Sequence, residues 1–113
     1  MTRLDGTLAA LAEPTRRSVI ELLKARPHRA GELARAAGVS APLMSRHLRV
    51  LRQHGLVEET HGDPEDSRLR VYRLRRAPFR ELRSWVDGIE AFWSDQLGGF
   101  REHVEGARRR KRS

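Results

Sequence analysis

Residues 40–57, SAPLMSRHLRVLRQHGLV, combine two kinds of side chain at helical spacing. The apolar residues that recur every three or four positions are Met44, Leu48 and Leu51. Arg46, Arg49 and Gln53 recur on the opposite side, and the segment contains no acidic residue. Guanidinium groups can donate paired hydrogen bonds to phosphate oxygens and to guanine O6 and N7. The segment therefore predicts a helix that packs on one face and binds a polyanion on the other.

Residues for other kinds of chemistry are absent or scattered. The chain has no cysteine, which excludes disulfides, thiolate metal ligands and cysteine nucleophiles, and it has no glycine-rich phosphate loop. A zinc site needs three or four converging ligands, whereas the five histidines are spread along the chain. His47 lies beside the apolar stripe and is expected to be structural. We therefore expect no enzyme activity, no metal and no cofactor. One alternative stays open, a metal site across a dimer that joins His103 with Glu102 or Glu105.

The charge of the chain favours an anionic partner. The net charge is +8 over 113 residues, and residues 28–55 carry five arginines against one glutamate. Residues 77–107 instead carry three arginines against six acidic residues, and RRRKR at 108–112 adds a basic end. We expect one domain over residues 1–107 and a basic disordered tail over 108–113.

Capping and turn residues delimit the predicted elements. Four helices are predicted at residues 4–13, 14–26, 30–38 and 40–54. Pro14 suits a first helical turn, Gly38 suits a helix C-terminus and Ser40 suits an N-cap. LVEETH and LRVYRL have the alternation of strands, and GDPEDSR between them is rich in turn residues, so a hairpin is predicted. A long last helix is predicted after Pro78, from about Phe79 to Val104.

This order of elements predicts a mainly α fold with a β-hairpin wing, a winged helix-turn-helix. In that motif the second helix of the pair enters the major groove of DNA, which gives the basic face of residues 40–54 a partner. Double-stranded DNA is therefore the expected ligand. The residues predicted to bind it are Ala41, Pro42, Ser45, Arg46, Arg49, Gln53, Arg68 and Arg70.

The segments LAEPTRRSVIELL, GELARAAGVS, SRHLRVLRQHGLV and VYRL resemble the ArsR-type winged helix-turn-helix repressors, over about Leu4 to Val104. The resemblance implies a homodimeric bacterial or archaeal transcription regulator. It also implies that the first and last helices form the dimer interface and that the fourth helix reads operator DNA. The third helix lacks the Cys-x-Cys-like site of the family's metal sensors, and Ile89 stands where a ligand of another metal site would help. The chain is thus similar to a cysteine-free subgroup that does not sense metals.

The last helix carries more apolar side chains than a domain of this size can cover. We therefore expect it to be a dimerisation helix, and the predicted interface residues are Leu4, Leu8, Val86, Ile89, Trp93 and Leu97. Two other interpretations stay open for this helix. The stripe through Val86, Ile89 and Trp93 can be a monomer core, and Trp85, Phe92 and Trp93 can line an effector pocket.

The sequence as a whole predicts a sequence-specific DNA-binding transcriptional regulator, a homodimeric repressor of an inverted-repeat operator. The alternative is a winged-helix module that binds proteins and has no specific DNA target. No apolar run reaches the length of a membrane span, and the N-terminus is not a convincing signal peptide. We expect a cytoplasmic protein with no membrane partner, and the effector is left open.

Overall fold

A computed structural model describes residues 2–61, 65 and 70–112, with side chains described up to Gly98. The described residues form five helices and one antiparallel pair of strands. The elements are α1 (Arg3–Leu11), α2 (Pro14–Ala25), α3 (Ala30–Ala37), α4 (Ala41–Gln53), β1 (Val57–His61), β2 (Arg70–Leu74) and α5 (Arg76–Arg112). The predicted fold class, mainly α with a β-hairpin wing and a long C-terminal helix, is confirmed.

The helix-turn-helix pair α3–α4 begins and ends at the residues that local chemistry favours. The Ser40 hydroxyl accepts a hydrogen bond from the backbone N–H of Leu43 at 3.2 Å, which satisfies one of the free donors at the start of α4. Gly38 ends α3 with φ +70° and Gly55 follows α4 with φ +73°. Side chains with a Cβ rarely adopt this backbone conformation, so both glycines stop their helices, Gly38 as predicted.

The core lies between α1, α2, α3, α4 and the start of the hairpin. Its members are Ala10, Val19, Leu23, Leu33, Ala34, Met44, Leu48, Leu51, Leu56 and Val57. Met44, Leu48 and Leu51 are fully buried in it, so the predicted apolar stripe of α4 is confirmed. Full burial of a side chain of this size contributes about 1.5–3 kcal/mol. The stripe therefore fixes which face of α4 is turned to solvent.

Backbone hydrogen bonds attach the hairpin to the helices. β1 and β2 pair in a register that places Glu59 opposite Tyr72. Tyr72 also exchanges two backbone hydrogen bonds with His28, at 2.8 and 3.1 Å, and the N–H of Arg75 donates to the carbonyl of Leu56 at 2.9 Å. These bonds hold the hairpin on the chain segment before α3 and directly after α4. Of the predicted turn, residues 62–68, only Glu65 is described.

The chain divides into two compact units, residues 1–81 and 82–113. This division does not test the expected domain over residues 1–107, which stays a prediction. The first unit includes the start of α5, with Pro78 fully buried and Phe79 packed against the core. The helix begins at Arg76, three residues before the predicted start. Pro78 is tolerated there because the first-turn N–H groups have no helical partner.

The second unit consists of the remainder of α5, which is helical to Arg112 and not only to Val104. The helical backbone thus includes residues 108–112, for which the sequence predicted a disordered tail. No proline follows Pro78, so nothing in this stretch removes a helical hydrogen-bond donor.

Candidate nucleic-acid interface

The outward face of α4 is exposed along its whole length. The six residues of this helix that were predicted to bind DNA are all exposed: Ala41, Pro42, Ser45, Arg46, Arg49 and Gln53. Because they recur at intervals of three or four residues, they lie on one face, opposite the buried stripe. The helix therefore presents a continuous surface of about three turns with small residues at its N-terminal end and arginines in its middle.

Arg46 and Arg49 are exposed on the middle of this face. Neither guanidinium forms an ion pair or a hydrogen bond with another residue among those described. The positive charge and the donors of both groups are therefore available to an external ligand. An arginine on a rigid helix needs to lose only its own side-chain freedom to bind a guanine edge or a phosphate.

Arg52 and Arg70 differ from these two arginines because they share one carboxylate. Nη1 of Arg52 lies 2.9 Å from Oε2 of Glu59, and Nη1 of Arg70 lies 3.2 Å from Oε1 of the same residue. The Glu59 side chain is 17% exposed, whereas both arginines are about half exposed. Arg70 is thus exposed as predicted, but part of its charge is neutralised. Arg68, the other predicted wing contact, lies outside the described residues.

A polar cluster joins α4 to the junction between α1 and α2. The carboxylate of Glu13 accepts a hydrogen bond from the backbone N–H of Arg16 at 2.9 Å, and its Oε2 lies 3.8 Å from Nδ1 of His47. Nε of Arg16 donates to the carbonyl of Ala10 at 2.6 Å, and its Nη1 lies 3.4 Å from His47 Nδ1. His47 is buried, so this cluster lets a polar residue occupy the inner side of α4 with its ring nitrogen partnered.

The same cluster shifts the ionisation of Glu13. Desolvation raises the pKa of its carboxyl, but the hydrogen bond from the Arg16 backbone and the charges of His47 and Arg16 lower it by more. The net effect is a pKa below the usual range, so folding favours the ionised form of Glu13.

The predicted dimer residues of α5 lie on one side of the helix and are exposed. Val86, Ile89, Trp93 and Leu97 are 41–59% exposed. Their exposure gives no support to the monomer-core interpretation. In α1, Leu8 is exposed and Leu4 is half-buried.

Two aromatic residues extend this apolar surface. Trp85, directly before Val86, is exposed. Phe92 is exposed as well, and its ring meets that of Trp93 edge to face with centroids 6.3 Å apart. Exposed side chains do not enclose a ligand within one chain, so the effector-pocket interpretation gains no support from this surface.

No group of three metal-binding side chains comes together among the residues whose side chains are described. His103, Glu102 and Glu105, the one metal alternative left open by the sequence, are not among those residues. Within the described part of the chain, no helix is long and apolar enough to cross a membrane.

Two residues of this surface were not identified from the sequence. Leu43 is 38% exposed and lies next to Pro42 in the first turn of α4. The available signal was its position directly before Met44, because Leu43 does not belong to the apolar stripe that recurs every three or four residues. For Glu59 the available signal was an acidic residue on a strand that follows a basic helix. This signal is weaker, because the arginines that Glu59 contacts are distant from it in sequence.

The geometry defines a class of protein. A short helix and a tight turn lead into a helix whose buried face anchors it and whose outer face carries exposed arginines, and a β-hairpin follows. This is a winged helix-turn-helix DNA-binding domain.

Comparisons with known proteins agree with this class. A helix-turn-helix domain model matches residues 11–60. The HTH-type transcriptional regulator Rv2034 of Mycobacterium tuberculosis (strain ATCC 25618 / H37Rv) is 38% identical over 101 residues, which cover 89% of this chain and 88% of that protein. The transcriptional repressor SdpR of Bacillus subtilis (strain 168) is 28% identical over 83 residues, which cover 74% of this chain and 88% of that protein.

A solved structure extends the similarity to nearly the whole chain. The ArsR-like transcriptional regulator from Rhodococcus sp. RHA1 matches with a TM-score of 0.76 at 27% identity, covering 94% of this chain and 98% of that one. The chain belongs to the ArsR family of winged helix-turn-helix proteins and is a DNA-binding transcriptional regulator.

Proposed function

We propose that the protein is a homodimeric repressor that binds an inverted-repeat operator, with α4 of each subunit in the major groove. The observation that carries the proposal is the pair Arg46 and Arg49, exposed on α4 and unpaired among the described residues. A bidentate arginine–guanine contact contributes about 1–3 kcal/mol of discrimination between bases. The relative from Bacillus subtilis is a transcriptional repressor, which supports repression as the direction of regulation.

Each predicted contact residue has a role that follows from its chemistry. Arg46 and Arg49 read guanine edges or bind phosphate, and Ser45, directly before Arg46, donates a hydrogen bond to either. Ala41 and Pro42 allow close approach of the first turn and contact a thymine methyl group. Gln53 contacts the backbone at the other end of the helix. Arg68 and Arg70 of the wing reach the backbone or an adjacent minor groove.

The exposed apolar face of α5 supports a dimer. A soluble monomer rarely exposes a contiguous apolar patch of more than a few hundred Å². In the proposed homodimer a second copy covers Val86, Ile89, Trp93 and Leu97, and we assign Leu4 and Leu8 to the dimer interface as well. Two-fold symmetry then presents two copies of α4 to the DNA, which is why the operator is an inverted repeat. Since its target is chromosomal DNA, the proposed site of action is the cytoplasm.

The experiment that tests this function starts from selection of bound duplexes out of a random-sequence library, followed by footprinting on the best sequence. We expect two related half-sites, about 10–10.5 bp apart centre to centre or a multiple of that. Sedimentation at micromolar concentration should give a dimer. A protein that prefers no sequence over random duplex would instead be a winged-helix module without a specific DNA target.

A further inference from the structure

The arginines at the DNA-facing side of the molecule fall into two groups. Arg46 and Arg49 have no partner among the described residues, whereas Arg52, one turn after Arg49, and Arg70 of β2 are both bound by Glu59. All four groups carry the same charge and all are exposed. What separates them is one carboxylate on β1.

Glu59 is placed by the hairpin register. It lies opposite Tyr72, so it shares a face of the hairpin with Tyr72 and with Arg70, which is two residues from Tyr72. Its neighbour Glu58 lies on the other face, where it pairs with Arg73 opposite and with Arg75 at 3.8 Å. Two adjacent acidic residues thus serve different surfaces, and only Glu59 reaches the recognition helix.

The two arginines are not held equally by Glu59. Arg52 lies closer, with its Nη1 2.9 Å from Oε2 of Glu59. Arg70 lies at 3.2 Å, and Glu59 is its one ion-pair partner within the described part of the chain. An external anion would therefore remove Arg70 from Glu59 more readily than Arg52.

We propose that Glu59 is an internal competitor for the DNA backbone, which withholds Arg52 and Arg70 from random DNA and releases Arg70 to a phosphate on the operator. The proposal rests on the proposed function, because it needs a specific complex. A carboxylate and a phosphate oxygen offer arginine the same acceptor geometry, so each can replace the other. On random DNA the base contacts of α4 are missing, and the wing is not held against the backbone closely enough for the exchange.

The consequence is a gain in specificity at some loss of total affinity. Each phosphate contact makes the slope of log K against log salt concentration more negative by about 0.9. When the salt concentration rises from about 50 to 200 mM, one such contact therefore weakens binding by a further factor of about 3.5. Withholding an arginine from random DNA removes that contribution from the competing sites, while the operator complex keeps it. The ratio of the affinity for the operator to the affinity for random DNA therefore rises.

The test is a salt titration by fluorescence anisotropy on two duplexes of equal length, the selected operator and a scrambled sequence. Glu59→Gln should tighten binding to the scrambled duplex and steepen its slope by about 0.9 for each arginine released. The ratio of operator to scrambled affinity should fall. In Glu59→Gln/Arg70→Ala the slope on the scrambled duplex should return by about 0.9 towards the wild-type value.

Glu58→Gln is the matched control, because it removes the same charge from the adjacent position of the same strand but on the opposite face. We expect it to leave the slope on the scrambled duplex unchanged. If both variants steepen the slope equally, the effect is one of net charge and Glu59 has no special role. If Glu59→Gln folds normally, as judged by its thermal melt, and the slope does not change, the proposal is wrong.

A second measurement does not depend on how Glu59→Gln folds. In the wild-type background, Arg70→Ala should reduce the operator slope by about 0.9 and leave the scrambled slope unchanged. An equal reduction on both duplexes would mean that random DNA already has access to Arg70, which overturns the proposal. Failure of the wild type to prefer any sequence would contradict the proposed function instead.

Discussion

The double substitution Arg46→Ala/Arg49→Ala tests the central assignment without a confounding effect on folding. Both side chains are exposed and unpaired among the described residues, and alanine is the residue most favourable to a helix. Surface substitutions of this kind change the free energy of unfolding by about 0.5 kcal/mol or less. The thermal melt of the variant should therefore match that of the wild type.

The expected loss of operator affinity follows from the two contacts. An arginine that reads a base contributes about 1–3 kcal/mol, so the pair contributes about 2–6 kcal/mol if their effects add. Since each 1.4 kcal/mol is about tenfold, operator binding should weaken by about 30-fold to 10⁴-fold. The single variants show whether the residues couple, because they lie one turn apart on the same helix.

Anisotropy titrations on the operator and on a scrambled duplex separate base reading from phosphate binding. A base reader loses affinity on the operator alone, whereas a phosphate contact loses it on both duplexes and flattens each salt slope by about 0.9. Lys24→Ala is the control for charge, because Lys24 lies on α2, is 72% exposed and pairs only with Glu21 among the described residues. A correctly folded double variant that keeps wild-type operator affinity at physiological salt would refute the assignment of α4 as the reading helix.

Three further predictions concern assembly, signalling and pH. Ile89→Asp should give a monomer or an unfolded chain by sedimentation and lose operator binding, because it places a charge in an apolar interface; a stable dimer that still binds would contradict it. Zinc, cadmium, copper and arsenite should not release the operator at stoichiometric amounts, since the chain has no thiolate; reversible release, undone by EDTA for the metal cations, would contradict it. Glu13 has a lowered pKa, so its ionised form stabilises the fold above its usual pKa and this contribution is lost as the pH falls. The difference in melting temperature between wild type and Glu13→Gln should therefore shrink below about pH 4, and a constant difference would be the contrary result.

The helices of the first unit were predictable because their signals are local. Gly38 and Ser40 act on their own helix ends through hydrogen bonds that span three or four residues. Pro14 acts through its fixed φ and its missing N–H, which suit a first helical turn. The buried stripe of α4 follows from a single period that the sequence shows directly. This period also identified the outward face of α4 correctly, because that face lies opposite the buried stripe.

The extent of α5 was not predictable from such signals. Pro78 suggested a start at Phe79, but proline is also tolerated later in the first turn, and the helix begins at Arg76. The apolar stripe of α5 was correctly recognised. Whether this stripe is covered is a tertiary question that the periodicity of the sequence does not answer.

The pairing of Glu59 with Arg52 and Arg70 depends on the register of the hairpin. A shift of one residue would turn Glu58 towards α4 and Glu59 away from it, because successive side chains of a strand alternate between faces. The alternation of LVEETH does not decide between these registers, since both positions are glutamates. The backbone bonds of Tyr72 with His28 and of Arg75 with Leu56 favour the observed one.

The electrostatics of the proposed DNA-binding surface therefore depend on packing elsewhere in the molecule. Leu56 is fully buried, so its carbonyl is fixed where it accepts from Arg75, and this bond sets the alignment of β2 against β1. The alignment brings Glu59 between Arg52 and Arg70 and leaves Arg46 and Arg49 to the solvent. A substitution in the core beneath the hairpin can thus alter binding to random DNA without touching any residue that contacts DNA. It would do so by moving one carboxylate, and the salt slope on a scrambled duplex would report the change.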